Sequence, residues 1–334
     1  MAEVNLETAV EILKADGVVA FPTETVYGLG ARIGSESALN KIFSTKERPF
    51  FDPLIVHVDS IQQAKSCFSE WSEIAQTLTK SFWPGPLTLV MKKSGLISDV
   101  ITSGLPRVGV RWPQHALAQQ LISQVGEPLA APSANKFGKT SPTQIEHVVS
   151  EFGSELPILH GEPSQVGIES TVLLVDQNNL SLLRKGLITK SEISRCLEKF
   201  NIAFNWIDVV GKSMAPGQMK HHYMPIIPFV IVKPQSEIQS EAQILEYLNK
   251  NISALPDSVD EVKIVKPKGA IKTLQQLVLP VQPVEAARLL YSELREQSSK
   301  GADALFFKQE ELHQGEIWES IFDRLYKAAS LIID

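Results

Sequence analysis

The side chains of this sequence that could do chemistry are cations, hydroxyls and amides set in short motifs. Lys46 and Arg48 lie two residues apart, and Ser133 and Asn135 repeat that spacing much later. Arg107, Arg111, Lys136, Lys139, Arg184 and Lys185 stand in or beside other motif segments. The chain as a whole is acidic, with 32 Lys+Arg against 38 Asp+Glu and a net charge of −6. A basic cleft in an acidic protein suits a small polyanion better than long nucleic acid. No Ser-His-Asp or Cys-His arrangement suggests a covalent nucleophile. The seven histidines include neither H-x-x-x-H nor H-E-x-x-H, so no histidine zinc site is expected.

These groups need elements to hold them. The segment from Phe21 to Ala31 leaves an apolar strand at 18–21 and reads as a loop of polar side chains and glycine. Pro22 fixes its own φ and ends the strand. Thr23, Glu24 and Thr25 then fall at the strand's carboxyl end, where open α/β sheets place ligands. Gly28 and Gly30 permit unusual backbone angles or close approaches. Asn5 and Ser35 read as helix caps, the first helix burying Leu6, Val10 and Leu13 and stopping at Gly17, the second burying Leu39, Ile42 and Phe43. Residues 116–125 read as a helix; 54–58, 87–91, 108–111, 129–131, 158–160, 171–175 and 180–184 read as strands. The alternation implies an α/β or α+β class.

A length of 334 residues suggests two domains. Periodicity fails across 209–228, where Gly211, Pro216, Gly217, Pro225 and Pro228 are turn formers. The expected division is a catalytic domain at 1–208, a linker at 209–228 and a smaller α/β domain at 229–334. In the last, 241–248, 284–294 and 317–331 read as helices, and 229–232, 262–265, 277–279 and 304–307 as strands. It has no G-x-G-x-x-G, so dinucleotide binding is not expected. Cys67 and Cys196 read as two reduced, buried thiols. With no apolar run near the ~18 residues of a membrane span and no secretory leader, a cytoplasmic protein is expected.

Seven segments, taken in order, resemble the YrdC-like threonylcarbamoyl-AMP synthases. They are Phe21-Pro22-Thr23-Glu24-Thr25-Val26-Tyr27-Gly28, Lys46-Glu47-Arg48-Pro49 with Pro53–Val58, Trp83–Thr88, Val108–Pro113, Ala131–Asn135, Gly167–Val172 and Leu183–Gly186. The resemblance covers roughly residues 5–200 and implies a twisted, mixed open sheet with helices and a concave ligand face. The rest resembles the Rossmann-like domain of the long, two-domain form. The resemblance implies that L-threonine, bicarbonate and ATP become threonylcarbamoyl-AMP and pyrophosphate. A downstream transferase would then modify the adenosine next to the anticodon of tRNA. Mg²⁺ would arrive with ATP, through phosphates and water more than through carboxylates. Neither a membrane nor stable nucleic-acid binding is expected.

Carried over by position, L-threonine would meet Thr25, His57, Arg111, the backbone near Ala131, and Ser170. Arg111 suits the threonine carboxylate because its planar fork pairs bidentately. ATP would meet Arg48, Asp52, Arg107, Ser133, Ser141, Arg184 and Tyr223, with Lys46 and Asn135 as further positioning and electrostatic groups. Glu24 and Glu169 are the carboxylates placed nearest. Plainer readings compete: His57 as a core histidine, Lys46 and Arg48 as cations on a helix C-terminal dipole, and 133–141 as a solvated loop. Asp52 stands where the family usually has asparagine, Arg107 where threonine is common, and Met219 and His221 where the linker usually has lysine and arginine. The linker, with Tyr223, is expected to close over the nucleotide as a lid. Two other functions would be a carbamoyl-adenylate-forming maturation enzyme and a module binding structured RNA. The first carries zinc fingers and an acylphosphatase module, both missing from this sequence. The second is disfavoured by an acidic pI near 5.7.

Overall fold

A computed structural model describes residues 3–208, 219–238, 240–259, 261–267 and 269–334. Residues 209–218 of the expected linker lie outside that description. The chain divides into two compact units, one of residues 1–136 and 142–218, the other of 137–141 and 219–334.

In the first unit, Asn5 accepts from the Thr8 amide and starts the helix Leu6–Lys14. The helix stops because Asp16 turns left-handed, at φ 60°. Gly17 follows for a different reason: a Cβ there would lie 2.8 Å from the Ile12 carbonyl oxygen. Val10 and Leu13 pack with Val19, Phe21, Leu121 and Ile122, the last two from the helix Ala116–Val125. Full burial of such side chains contributes about 1.5–3 kcal/mol each. Ser35 accepts from the Ala38 amide and starts the helix Glu36–Lys46, which buries Leu39, Ile42 and Phe43.

The unit is built on one mixed eleven-stranded sheet. Val19–Phe21 and Gly28–Arg32 pair antiparallel, so Gly28–Ala31 is strand and not the loop expected. Neither glycine has a positive φ. Their freedom is spent on contact: a Cβ on Gly30 would meet Phe21 Cε1 at 2.7 Å. Further across, Ile55–His57 runs parallel to Arg107–Arg111 with His57 opposite Arg111. Leu87–Lys92 runs antiparallel to Arg107–Arg111 and parallel to Thr171–Asp176. The helices Ile61–Cys67, Glu73–Phe82, Ile145–Phe152 and Lys190–Lys199 were not among the expected elements. Cys67 is buried, its thiol pushed up to about 12 by burial, whereas Cys196 is only half-buried.

The second unit carries a four-stranded parallel sheet in the order Leu274–Gln276, Ala304–Lys308, Phe229–Val232, Leu331–Ile333. Helices Glu241–Asn251, Pro283–Ser299 and Glu316–Ala328 accompany it. Two expectations fail here. Residues 277–279 follow a strand instead of forming one, and Leu331 opens a strand instead of ending a helix. Part of the expected lid is buried in this unit. Tyr223 is 1% exposed, adopts φ 66° and stacks on Tyr291 at 5.4 Å between ring centroids. Thr140 donates to the Tyr223 carbonyl, and the Met224 amide donates to that of Gly138.

Candidate active site

Two polar clusters form inside the first unit. The first gathers on Arg111, the last residue of its strand and 4% exposed. Its Nη1 donates to Thr25 Oγ1 at 2.8 Å and its Nε to the Gly85 carbonyl at 3.3 Å. Its Nη2 lies 2.6 Å from Glu24 Oε2, an ion pair whose N–H vector does not line up as a hydrogen bond. Thr25 Oγ1 also meets Thr23 Oγ1 at 2.9 Å. His57, beside Arg111 in the sheet, meets the Phe21 ring edge-on at 6.2 Å. Burial, and then the Arg111 charge, push the His57 imidazole down to about 3, so it is neutral at ordinary pH. Its buried Nδ1 makes no hydrogen bond among the described residues. The Ala131 amide is taken by the Ile55 carbonyl, so it is not a donor available to a ligand.

The second cluster joins the two spaced pairs. Lys46 is the last residue of its helix and 1% exposed. Its Nζ donates to the backbone carbonyls of Ser133 and Asn135. Burial, then Arg48, hold its amine well below the ordinary lysine range. The plainer dipole reading does not account for an ammonium committed to two carbonyls of another segment. Glu47 turns left-handed at φ 53°. Beyond it, Arg48 donates to the carbonyls of Asp52 and Pro53 at 3.2 and 2.9 Å. Its Nη2 pairs with Asp52 Oδ2 at 2.8 Å, both side chains 3% exposed. Arg184 donates to the Ser170 carbonyl at 3.0 Å and to Ser170 Oγ at 3.1 Å. Ser170 Oγ also meets Thr88 Oγ1 at 2.7 Å.

Other expected residues fall elsewhere. Arg107 begins the strand that Arg111 ends, about 13 Å away by the rise of an extended chain. It pairs with Asp176 at 2.8 Å and makes no hydrogen bond to either cluster among the described residues. Ser141 and Tyr223 belong to the second unit, both buried. Glu169 is buried in the first. Thr88 and His115 were missed. Thr88 stood inside a quoted motif. His115 carried no motif signal; its Nδ1 is buried without a hydrogen bond, burial lowers its pKa, and Glu24 opposes that.

No group of three or more His, Cys, Asp or Glu side chains among the described residues could hold a metal ion. Glu24 is engaged by Arg111 and Asp52 by Arg48. The donor set therefore does not fit a protein-built Mg²⁺ cage. Nor is any helix among the described residues long and apolar enough to cross a membrane.

A family model described as "Telomere recombination", for Sua5, YciO and YrdC proteins, matches residues 11–186. A second, described as the threonylcarbamoyl-AMP synthase C-terminal domain, matches 188–330. Threonylcarbamoyl-AMP synthase of Bacillus subtilis is 36% identical, over 97% of this chain and 93% of its own. That of Pyrococcus abyssi is 35% identical, over 98% and 94%. The crystal structure of P. abyssi Sua5 complexed with L-threonine superposes with a TM-score of 0.78 at 31% identity, covering 99% of each chain. The chain therefore belongs to the Sua5/YrdC family, in the form that joins the YrdC-like domain to a threonylcarbamoyl-AMP synthase C-terminal domain.

Proposed function

We propose that this protein makes L-threonylcarbamoyl-AMP from L-threonine, bicarbonate and ATP, releasing pyrophosphate. The product feeds a transferase that modifies the adenosine next to the anticodon of tRNA, and the reaction runs in the cytoplasm. The observation that carries the reading is the meeting of distant motifs. Lys46 ties Ser133 and Asn135 into one cluster with Arg48, and Arg111 ties strand end to the Thr23–Thr25 turn. Both the residue types and the enzyme names of full-length relatives support it.

The threonine amine and bicarbonate first give a carbamate and water. A carbamate oxygen then attacks the α-phosphorus of ATP, and the bond to pyrophosphate breaks. Neither step needs a protein nucleophile. The residues work by positioning and by stabilising charge. Arg111 and Thr25 bind the amino acid, with Arg111 exchanging Glu24 for the substrate carboxylate. Neutral His57 adds a polar contact without a charge. Arg48, Arg184 and Ser133 bind the nucleotide. Lys46 acts as a positioning residue by holding the Ser133–Asn135 backbone. Mg²⁺ would enter on the phosphates, where it neutralises their charge. The test is pyrophosphate release from ATP by the full chain. Release that depends on both L-threonine and bicarbonate is expected; release from ATP alone, or with either co-substrate omitted, overturns the reading.

A further inference from the structure

Asp52 puts a carboxylate where a polyanion site has least use for one. It is 2% exposed. Its Oδ2 lies 2.8 Å from Arg48 Nη2. The charges of two more basic groups act on it: Lys46, from the end of the helix Glu36–Lys46, and Arg184, from the end of the strand Asn179–Arg184. Glu151, on the helix Ile145–Phe152, acts on Lys46 in turn. One buried carboxylate thus answers three basic groups drawn from three parts of the unit.

We propose that Asp52 is a built-in counter-anion of the nucleotide site and takes up a proton from solvent when the phosphates of ATP enter. This rests on the nucleotide reading given above. Two anions beside one buried guanidinium cannot both stay ionised without a large cost, and the carboxylate is the one that can neutralise itself. Asp52 already leans that way. Burial raises its carboxyl above the ordinary range, against the pull of Arg48, Lys46 and Arg184. The phosphates add a second push in the same direction. Binding that raises a pKa is favoured by protonation, so ATP binds more tightly as pH falls and more weakly as it rises. Each unit of that rise is a tenfold change in Kd. Asparagine at this position would keep the shape and remove both the charge and the linkage.

The experiment is calorimetric titration of the full chain with ATP, in buffers of differing ionisation enthalpy, between pH 5.5 and 8. The same series is run on Asp52→Asn. The γ-phosphate's own titration is common to both proteins and cancels in their difference. Wild type is expected to take up about half a proton more than the variant at the pH of greatest linkage, as a one-unit rise requires. Asp52→Asn is expected to bind ATP roughly tenfold more tightly at pH 8, the gap closing toward pH 5.5. Equal proton numbers with ATP binding intact overturn the proposal, since Asp52 then stays ionised, as it would on a ribose hydroxyl or on Mg²⁺. Weaker binding by the variant at every pH overturns it too. Should the variant fail to fold, wild type decides at pH 8, where the free γ-phosphate is already ionised: no net proton uptake there, with ATP binding intact, is fatal. No ATP binding by wild type sinks the nucleotide reading itself, and this inference with it.

Discussion

The two clusters of the first unit differ in charge balance, and the difference matches two kinds of ligand. Around Arg111 there is one guanidinium, one carboxylate and a histidine kept neutral by burial. That balance is near zero, which suits a zwitterionic amino acid. Around Asp52 there are two guanidiniums and a lysine amine against one carboxylate. That excess suits phosphates. Both clusters are almost dry, so each charge depends on its partner and not on water. On the function proposed above, binding exchanges an internal counter-charge for one on the substrate.

The largest way to break this comparison is Arg48→Ala. It leaves Asp52 as a buried carboxylate without its nearest counter-charge, which costs about 3–5 kcal/mol of stability. A lower melting temperature and weaker ATP binding are expected together. The double variant Arg48→Ala/Asp52→Asn should recover much of the stability and none of the ATP affinity. Recovery of neither would mean that Arg48 acts through its bonds to the carbonyls of Asp52 and Pro53 alone.

Next comes Arg111→Ala. Loss of a charge-assisted contact costs about 1.5–3 kcal/mol, or roughly 10–150-fold in the threonine requirement. The ATP requirement should move little. Steady-state kinetics with each substrate varied checks this, and equal changes in both would erase the distinction between the clusters. Arg111→Lys keeps the charge and loses the fork, so it should fall between the two.

His57 tests whether the first cluster is neutral. Its imidazole is held down at about 3, against an unfolded value near 6.5. The unfolded chain therefore binds the proton first, and stability is lost as pH falls from 6.5 toward 3. By pH 5 the loss from this group is about 2 kcal/mol. His57→Gln should flatten that acid limb in a series of melting temperatures against pH. An unchanged limb would mean that His57 titrates normally.

Much of the scaffold was legible in the sequence, because caps and periodicity are local. Asn5, Ser35 and the helix Ala116–Val125 stand where residue types put them. The strand Gly28–Arg32 was not legible. Its glycines look like a turn, and only the pairing with Val19–Phe21 and the Phe21 ring packed over them show otherwise. The motifs named the residues of the clusters but not their partners. Thr25 and Arg111 are 86 residues apart, and Lys46 and Asn135 are 89 apart, so only the fold brings them together. The surroundings of Tyr223 were not legible for a related reason: a polar, irregular segment gave no hint of a stacked partner as distant as Tyr291.

The smallest expected effect comes from Arg107, and it sharpens the comparison by marking where the cationic region ends. Position alone grouped it with the nucleotide residues. The strand Arg107–Arg111 sets it about 13 Å from Arg111, and Asp176 takes its guanidinium at 2.8 Å. The two side chains are 23% and 40% exposed, so water screens the pair. Such pairs contribute about 0–1 kcal/mol. Arg107→Ala should lower stability by no more than that and leave the ATP dissociation constant within about twofold, well under the 1.4 kcal/mol that a tenfold change represents. Direct titration with ATP decides the point. A tenfold weaker complex would extend the cationic region across the whole strand, and the division into a neutral and a cationic cluster would no longer describe this unit.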